Sequence, residues 1–221
     1  MLLLLTGDIQ IGKTRWLRAC VARLEDAGVR VEGVLAPGVW RPIEPGEPEP
    51  VREKTMTRGG AFEKLGIDNE LLPSHEVIAF ARRQDLARAE GTYDESNQAA
   101  KVGMGWHVDD RAVARVNAHF DALARDAADG GGDGAGSAPG LLVVDELGRL
   151  ELLHGGGLTS AMGLLARGPQ GRYAHAVVIA RDKFGLNDKV EELFGDAWGG
   201  CVRIAPGDEA WTAWLEPLTT R

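Results

Sequence analysis

Residues 1–5, Met1-Leu2-Leu3-Leu4-Leu5, form an unbroken apolar run that stops at Thr6-Gly7. From Thr14 onward the apolar positions Leu17, Cys20, Val21 and Leu24 recur at steps of three and four, which sets them along one face of a helix. This opening pattern predicts a buried strand, a glycine-containing loop and an amphipathic helix, with Gly28 as the helix stop. Val29-Arg30-Val31-Glu32-Gly33-Val34-Leu35 then alternates in the manner of a second strand. Further on, Leu141-Leu142-Val143-Val144 is a short apolar run ending in Asp145-Glu146, the pattern of a parallel strand buried on both faces. Ala176-Val177-Val178-Ile179-Ala180 and Cys201-Val202-Arg203-Ile204-Ala205 read as two more strands, with helical patterns around 158–166, 188–194 and 209–215. Alternation of this kind predicts an α/β fold of three layers with a mainly parallel central sheet.

The middle of the chain has a different texture. Residues 37–50 are rich in proline and carry Glu44, Glu47 and Glu49, which excludes a central strand or a helix interior and predicts an exposed loop between hairpin strands. Across 64–83, short apolar pieces such as Leu65-Gly66-Ile67 and Val77-Ile78-Ala79-Phe80 predict additional β-hairpin structure. A helix is expected from about Asp109, which can cap it, with Val113, Val116, Phe120 and Leu123 along one face. The glycine-rich segment at 129–140 has little to bury and reads as a flexible connection. The resulting organisation is a single domain over residues 1–221 with a β-rich insertion at about 36–105.

Composition narrows the setting. With 44% hydrophobic and 26% charged residues in 221, the chain is an ordinary soluble globular protein. Its 33 acidic against 25 basic residues leave a net charge of -8, which argues against a broad nucleic-acid-binding field or attraction to an anionic membrane surface. The leucine run lacks a basic lead and meets Gly7 and Lys13 too soon for a signal peptide, and no other run is long enough for a membrane span. Cys20 and Cys201 have no metal-ligand spacing, so the expected location is a reducing, cytoplasmic one.

The candidate chemistry sits at two strand ends. Gly7-Asp8-Ile9-Gln10-Ile11-Gly12-Lys13-Thr14 fits the Walker A pattern of a P-loop, and it lies between the predicted strand and helix, where the mechanics require it. The glycines let consecutive N–H groups face the phosphates of a nucleoside triphosphate, and the helix presents its positive end to them. Lys13 is expected to reach the β- and γ-phosphates and the Thr14 hydroxyl to ligate Mg²⁺. Asp145, at the carboxyl end of its strand, is the expected second anchor for Mg²⁺, and Glu146 the group that polarises an attacking water. Arg149 and Arg181 are weaker candidates for stabilising charge on the transferring phosphoryl group. His107 and His154 have no partner at metal-ligand spacing, and Trp106 either covers a nucleotide or packs on the core.

Together these residues resemble the small P-loop nucleoside-triphosphatase family that includes the thermophilic NTPases and the cancer-related nucleoside-triphosphatase. The likeness rests on the N-terminal Walker A and on Asp145-Glu146-Leu147-Gly148-Arg149-Leu150-Glu151-Leu152. It covers 1–35 and the chain from Trp106 onward, while the middle is longer than the compact hairpins usual in the family. The resemblance implies Mg²⁺-dependent hydrolysis of nucleoside 5′-triphosphates, ATP and GTP among them, to diphosphate and phosphate. It leaves open a P-loop kinase acting on a small metabolite or nucleotide, and a nucleotide-dependent protein-binding switch. A protein or small-molecule partner is expected to act through the middle segment.

Overall fold

The structure is a computed structural model that describes residues 1–46, 57–58, 61–128, 138–180 and 184–220. The apolar opening run forms β1 (Leu2–Leu5), with all four leucines buried. α1 (Lys13–Asp26) follows, burying Leu17, Cys20, Val21 and Leu24, the stripe expected from their spacing. Next come β2 (Val31–Leu35), β3 (Gly38–Pro42), β4 (Thr57–Arg58), β5 (Phe62–Leu72) and β6 (Glu76–Arg83). Two short helices, α2 (Gln84–Ala89) and α3 (Gln98–Lys101), precede β7 (Trp106–Val108) and the long α4 (Asp110–Ala128). The chain continues through β8 (Gly140–Leu147), α5 (Arg149–His154), α6 (Thr159–Arg167), β9 (Tyr173–Ala180), α7 (Leu186–Phe194) and β10 (Cys201–Ile204). It ends in an irregular helical stretch over 208–220.

Among the described residues the strands join in one sheet of order β10-β1-β9-β8-β2-β5-β6-β7, with β3 and β4 also paired to β5. From β10 to β2 all neighbours are parallel; from β2 outward the pairings are antiparallel. The α/β fold with a mainly parallel core and added hairpin structure is therefore present. Period-two alternation assigns the two faces. Leu2, Leu4, Leu142, Val144 and Val178 pack with α4, α6 and α7, whereas Leu3, Leu5, Leu141, Val143 and Val177 pack with α1 and the C-terminal stretch. Each such leucine, fully buried, is worth roughly 1.5–3 kcal/mol, so the sheet centre is the stable platform from which the strand ends project.

Several expectations need adjusting. The proline-rich stretch expected as loop contains β3, which pairs with β5 from Gly38↔Ile67 to Pro42↔Phe62. Pro42 ends this strand, which lies off the central path of the sheet, so proline's missing N–H is tolerated. The apolar pieces at 64–83 form the expected hairpin, built of two long strands. Helices α2, α3 and α5 carry too few turns to show a hydrophobic period and escape a reading by pattern. The glycine-rich connection lies outside the described residues over 129–137, and Gly140 is already the first residue of β8.

Candidate functional site

β1 delivers the chain to the carboxyl edge of the sheet, where Thr6 N–H donates to the Ile204 carbonyl at 2.8 Å. The loop then turns through positive φ at Gly7 (124°), Gln10 (66°) and Gly12 (92°) before α1 begins at Lys13. Gly12 is the N-cap, with no side-chain cap and no acidic residue in the first helical turn. The helix's own first turn thus supplies no anion to the leading N–H groups and the positive end of the dipole, the arrangement that suits phosphate. Lys13 Nζ folds over this loop and donates to the Gly7 carbonyl at 2.6 Å and the Asp8 carbonyl at 2.8 Å. Ile9 and Ile11 are about half exposed at the loop tip.

Asp145 and Glu146 occupy an irregular turn of β8. Val144 is opposite Val178 and Leu147 opposite Ala180, so the two acidic residues share the single partner position of Ile179. The extra residue bends the strand end, and Glu146 takes φ = 69°, a conformation an L-residue with a long side chain holds only where its surroundings impose it. Asp145 is 2% exposed. Its Oδ2 accepts from Ala36 N–H at 2.9 Å, and its Oδ1 is buried without a hydrogen-bond partner. Burial, and then the Glu146 charge, push the Asp145 carboxyl up to about 7, against the opposing pull of the Ala36 amide, the Thr14 hydroxyl and the Lys64 ammonium.

Two residues far apart in sequence are brought together here, since the Thr14 hydroxyl acts directly on the Asp145 carboxyl. A hard divalent cation is the natural complement of that pair: Mg²⁺ takes oxygen ligands, uses only one or two protein groups and fills its sphere with phosphate oxygens and water. Among the described residues no cluster of three His, Cys, Asp or Glu could hold a metal alone, so phosphate oxygens would have to complete the site. The orphaned Oδ1 and the raised carboxyl both fit a group built to meet a cation.

The rest of the second motif is structural. Leu147, Leu150 and Leu152 are buried, and Gly148 opens α5. Glu151 Oε2 accepts from Gly148 N–H at 2.8 Å and its Oε1 from Leu158 N–H at 3.3 Å, so its carboxylate closes the loop between α5 and α6. A Cβ on Gly157 would stand 1.9 Å from Glu151 Oε1, which is why that loop needs glycine there. Arg149 donates to the Val102 carbonyl at 3.4 Å, and its guanidinium lies 5.2 Å from the Phe184 ring. Arg181 lies outside the described residues. His107 pairs with Asn97 at 2.8 Å and stacks obliquely on Tyr93, while His154 is exposed at the end of α5.

Sequence reading misses Lys64. Its ammonium sits 5.4 Å from the Trp106 ring and 5.8 Å from the Trp40 ring, and its charge reaches Asp145. Nothing in the sequence marks a lone lysine on β5; only the sheet brings it to this edge. Beside Asp145 and Glu146 a cavity of about 190 Å³ opens, lined by Phe80, Met104, Trp106, Arg149 and Phe184 among others. Trp106, 9% exposed, packs into this wall.

No family model matches the chain. No curated protein matches it either. Among solved structures, the crystal structure of THEP1 from the hyperthermophile Aquifex aeolicus is similar over 99% of this chain and 96% of that one, with a TM-score of 0.56 and 16% identity. At that identity the likeness shows the fold alone, an α/β arrangement with a mainly parallel central sheet and helices on both faces.

Proposed function

We propose that the chain, read over 1–221 as one unit, is a Mg²⁺-dependent nucleoside-triphosphatase that converts nucleoside 5′-triphosphates to diphosphate and phosphate. The observation that carries this reading is the meeting of the Thr14 hydroxyl with the buried Asp145 carboxyl at the start of α1. Bound there, Mg²⁺ would neutralise charge on the β- and γ-phosphate oxygens. The 7–14 loop cradles the phosphates through its N–H groups, and Lys13 exchanges its loop carbonyls for phosphate oxygens. Glu146, which the bulge turns to the strand end, orients a water for in-line attack and takes its proton. Lys64 adds positive charge beside Asp145, a stabilising role for which the sequence offers Arg149. Arg149 instead ties the Val102 carbonyl to the cavity wall.

A phosphotransferase reading draws support from the cavity next to the two carboxylates. The free cysteines Cys20 and Cys201 fit a reducing, cytoplasmic setting. Phosphate release from each common nucleoside triphosphate, with Mg²⁺ and with EDTA, tests the proposal. Steady Mg²⁺-dependent release without any acceptor supports hydrolysis; release that needs a small molecule, which itself becomes phosphorylated, replaces it with the kinase reading.

A further inference from the structure

The cavity beside Asp145 and Glu146 is not the phosphate cradle. None of residues 7–14 lines it. It is walled by Ile67 and Asn69 of β5, Phe80 of β6, the 103–106 turn, and Leu158 and Leu186 on the sheet face that carries α4, α6 and α7, whereas α1 packs on the other face. On the proposed function, the γ end of a bound triphosphate meets the carboxylates and its base lies at the far end of the phosphate chain. The cavity therefore has room for an occupant of its own beside a bound triphosphate.

Asn69 indicates what that occupant is. It is 2% exposed and lines the cavity. Strand alternation turns it to the same face as Ile67 and Leu71, and Ile67 lines the cavity with it. A buried amide needs hydrogen-bond partners, and this one opens onto a space in which a ligand can supply them rather than onto a packed core. The surrounding wall is aromatic and soft: Phe80, which β6 carries as an extra residue opposite Ile67 and Asp68, together with Trp106, Phe184 and Met104. Glu146 and Arg149 both line the space, so its wall carries opposite charges and favours neither an anion nor a cation. At about 190 Å³ the space is on the scale of one or two rings, since a cavity of ~150 Å³ accommodates benzene. Gly105 lines the cavity beside open space, since a Cβ there would meet nothing within 4 Å.

We propose that this cavity is a binding site for a neutral heteroaromatic molecule of one or two rings, seated among Phe80, Trp106 and Phe184 with its polar edge on the Asn69 amide. Asn offers a donor and an acceptor in one plane, the complement of a ring nitrogen beside an exocyclic amino, hydroxyl or amide group. A substituent at the carboxylate end lies next to Glu146, so the occupant shares the space from which water reaches the phosphoryl group.

The test uses nicotinamide, 3-hydroxymethylpyridine and adenine as probes, with toluene as apolar control and benzoate as anionic control, at up to ~10 mM by ligand-observed NMR and calorimetry. At least one neutral heteroaromatic probe should bind the parent protein, and more tightly than either control. Asn69→Leu should weaken that probe by about tenfold, because it removes the paired donor and acceptor of the amide. Gly105→Leu, which fills open space without backbone strain, should also weaken it. Lys13→Ala and saturation with Mg²⁺ and a non-hydrolysable triphosphate should leave probe binding intact. The proposal is overturned if no heteroaromatic probe binds, if toluene or benzoate binds as well, if both cavity variants bind the probe like the parent, or if the triphosphate displaces it. Failure of the parent to bind triphosphate would sink the proposed function instead, and the probe measurement would still read the cavity.

Discussion

Replacing Asp145 by asparagine should stabilise the protein without metal while disabling its response to metal. Asparagine keeps an oxygen for the Ala36 N–H, 2.9 Å away, and adds an NH₂ that the Thr14 hydroxyl can accept, so the shape of the site survives. What is lost is a buried charge. Burial and the neighbouring Glu146 raise the Asp145 carboxyl from its ordinary 3.8 to about 7. At ~1.4 kcal/mol per pH unit that interval corresponds to about 4 kcal/mol as a ceiling. Relaxation and water entry should reduce the gain to about 1–3 kcal/mol, or roughly 3–10 °C in midpoint for a chain of this size. The folded value lies above the unfolded one, so the neutral carboxyl favours the fold. That contribution is complete below about pH 4 and is lost as pH rises through about 7. Calorimetric unfolding in EDTA should therefore show the Asp145→Asn variant above the parent at pH 8, by a margin that shrinks at pH 5. With Mg²⁺ and nucleotide the order should reverse, because the parent alone gains full binding stabilisation. A variant less stable than the parent at pH 8 without metal, or one with the same margin at both pH values, would refute the reasoning.

Lys13→Ala should abolish turnover and greatly weaken triphosphate binding with circular dichroism unchanged; parental hydrolysis by the folded variant would remove the Walker A assignment. Glu146→Gln should slow single-turnover hydrolysis by about 10²- to 10⁴-fold at little cost in nucleotide affinity, and a rate within about threefold of the parent would exclude general-base assistance from this residue. Glu151 is no ready substitute, since both its oxygens are engaged by backbone amides. Lys64→Met should move the acid limb of the rate profile to higher pH, because the ammonium helps keep Asp145 ionised; an unmoved limb would detach Lys64 from the site. Away from the site, Arg172 pairs with buried Glu32 at 2.5 and 2.8 Å, and Tyr173 adds a bond of 2.6 Å. Burial works against the Glu32 charge, but these partners hold the carboxyl below its usual range. Arg172→Met should cost about 3–5 kcal/mol at neutral pH, a deficit that closes in acid as Glu32 becomes protonated, and thermal unfolding across pH reads it.

Much of this is legible along the chain because its signals are local. An apolar run against Gly7, a glycine at position 12, Lys13-Thr14 and a three-four stripe from Leu17 specify strand, loop and helix by steric and hydrogen-bonding rules that need no distant partner. Leu141 to Val144 ending in Asp145-Glu146 likewise declares a buried parallel strand with carboxylates at its end. The tertiary structure alone decided what those ends meet. Sheet order brings Thr14 to Asp145 across 131 positions of sequence and carries Lys64 and Asn69 from β5 to the same edge. It also separates Glu151, close to Glu146 in sequence, into a capping role. The physical reason is that periodicity reports which face of an element is buried, while desolvation, charge pairing and cavity shape are sums over neighbours that the sheet, and not the spacing, assembles.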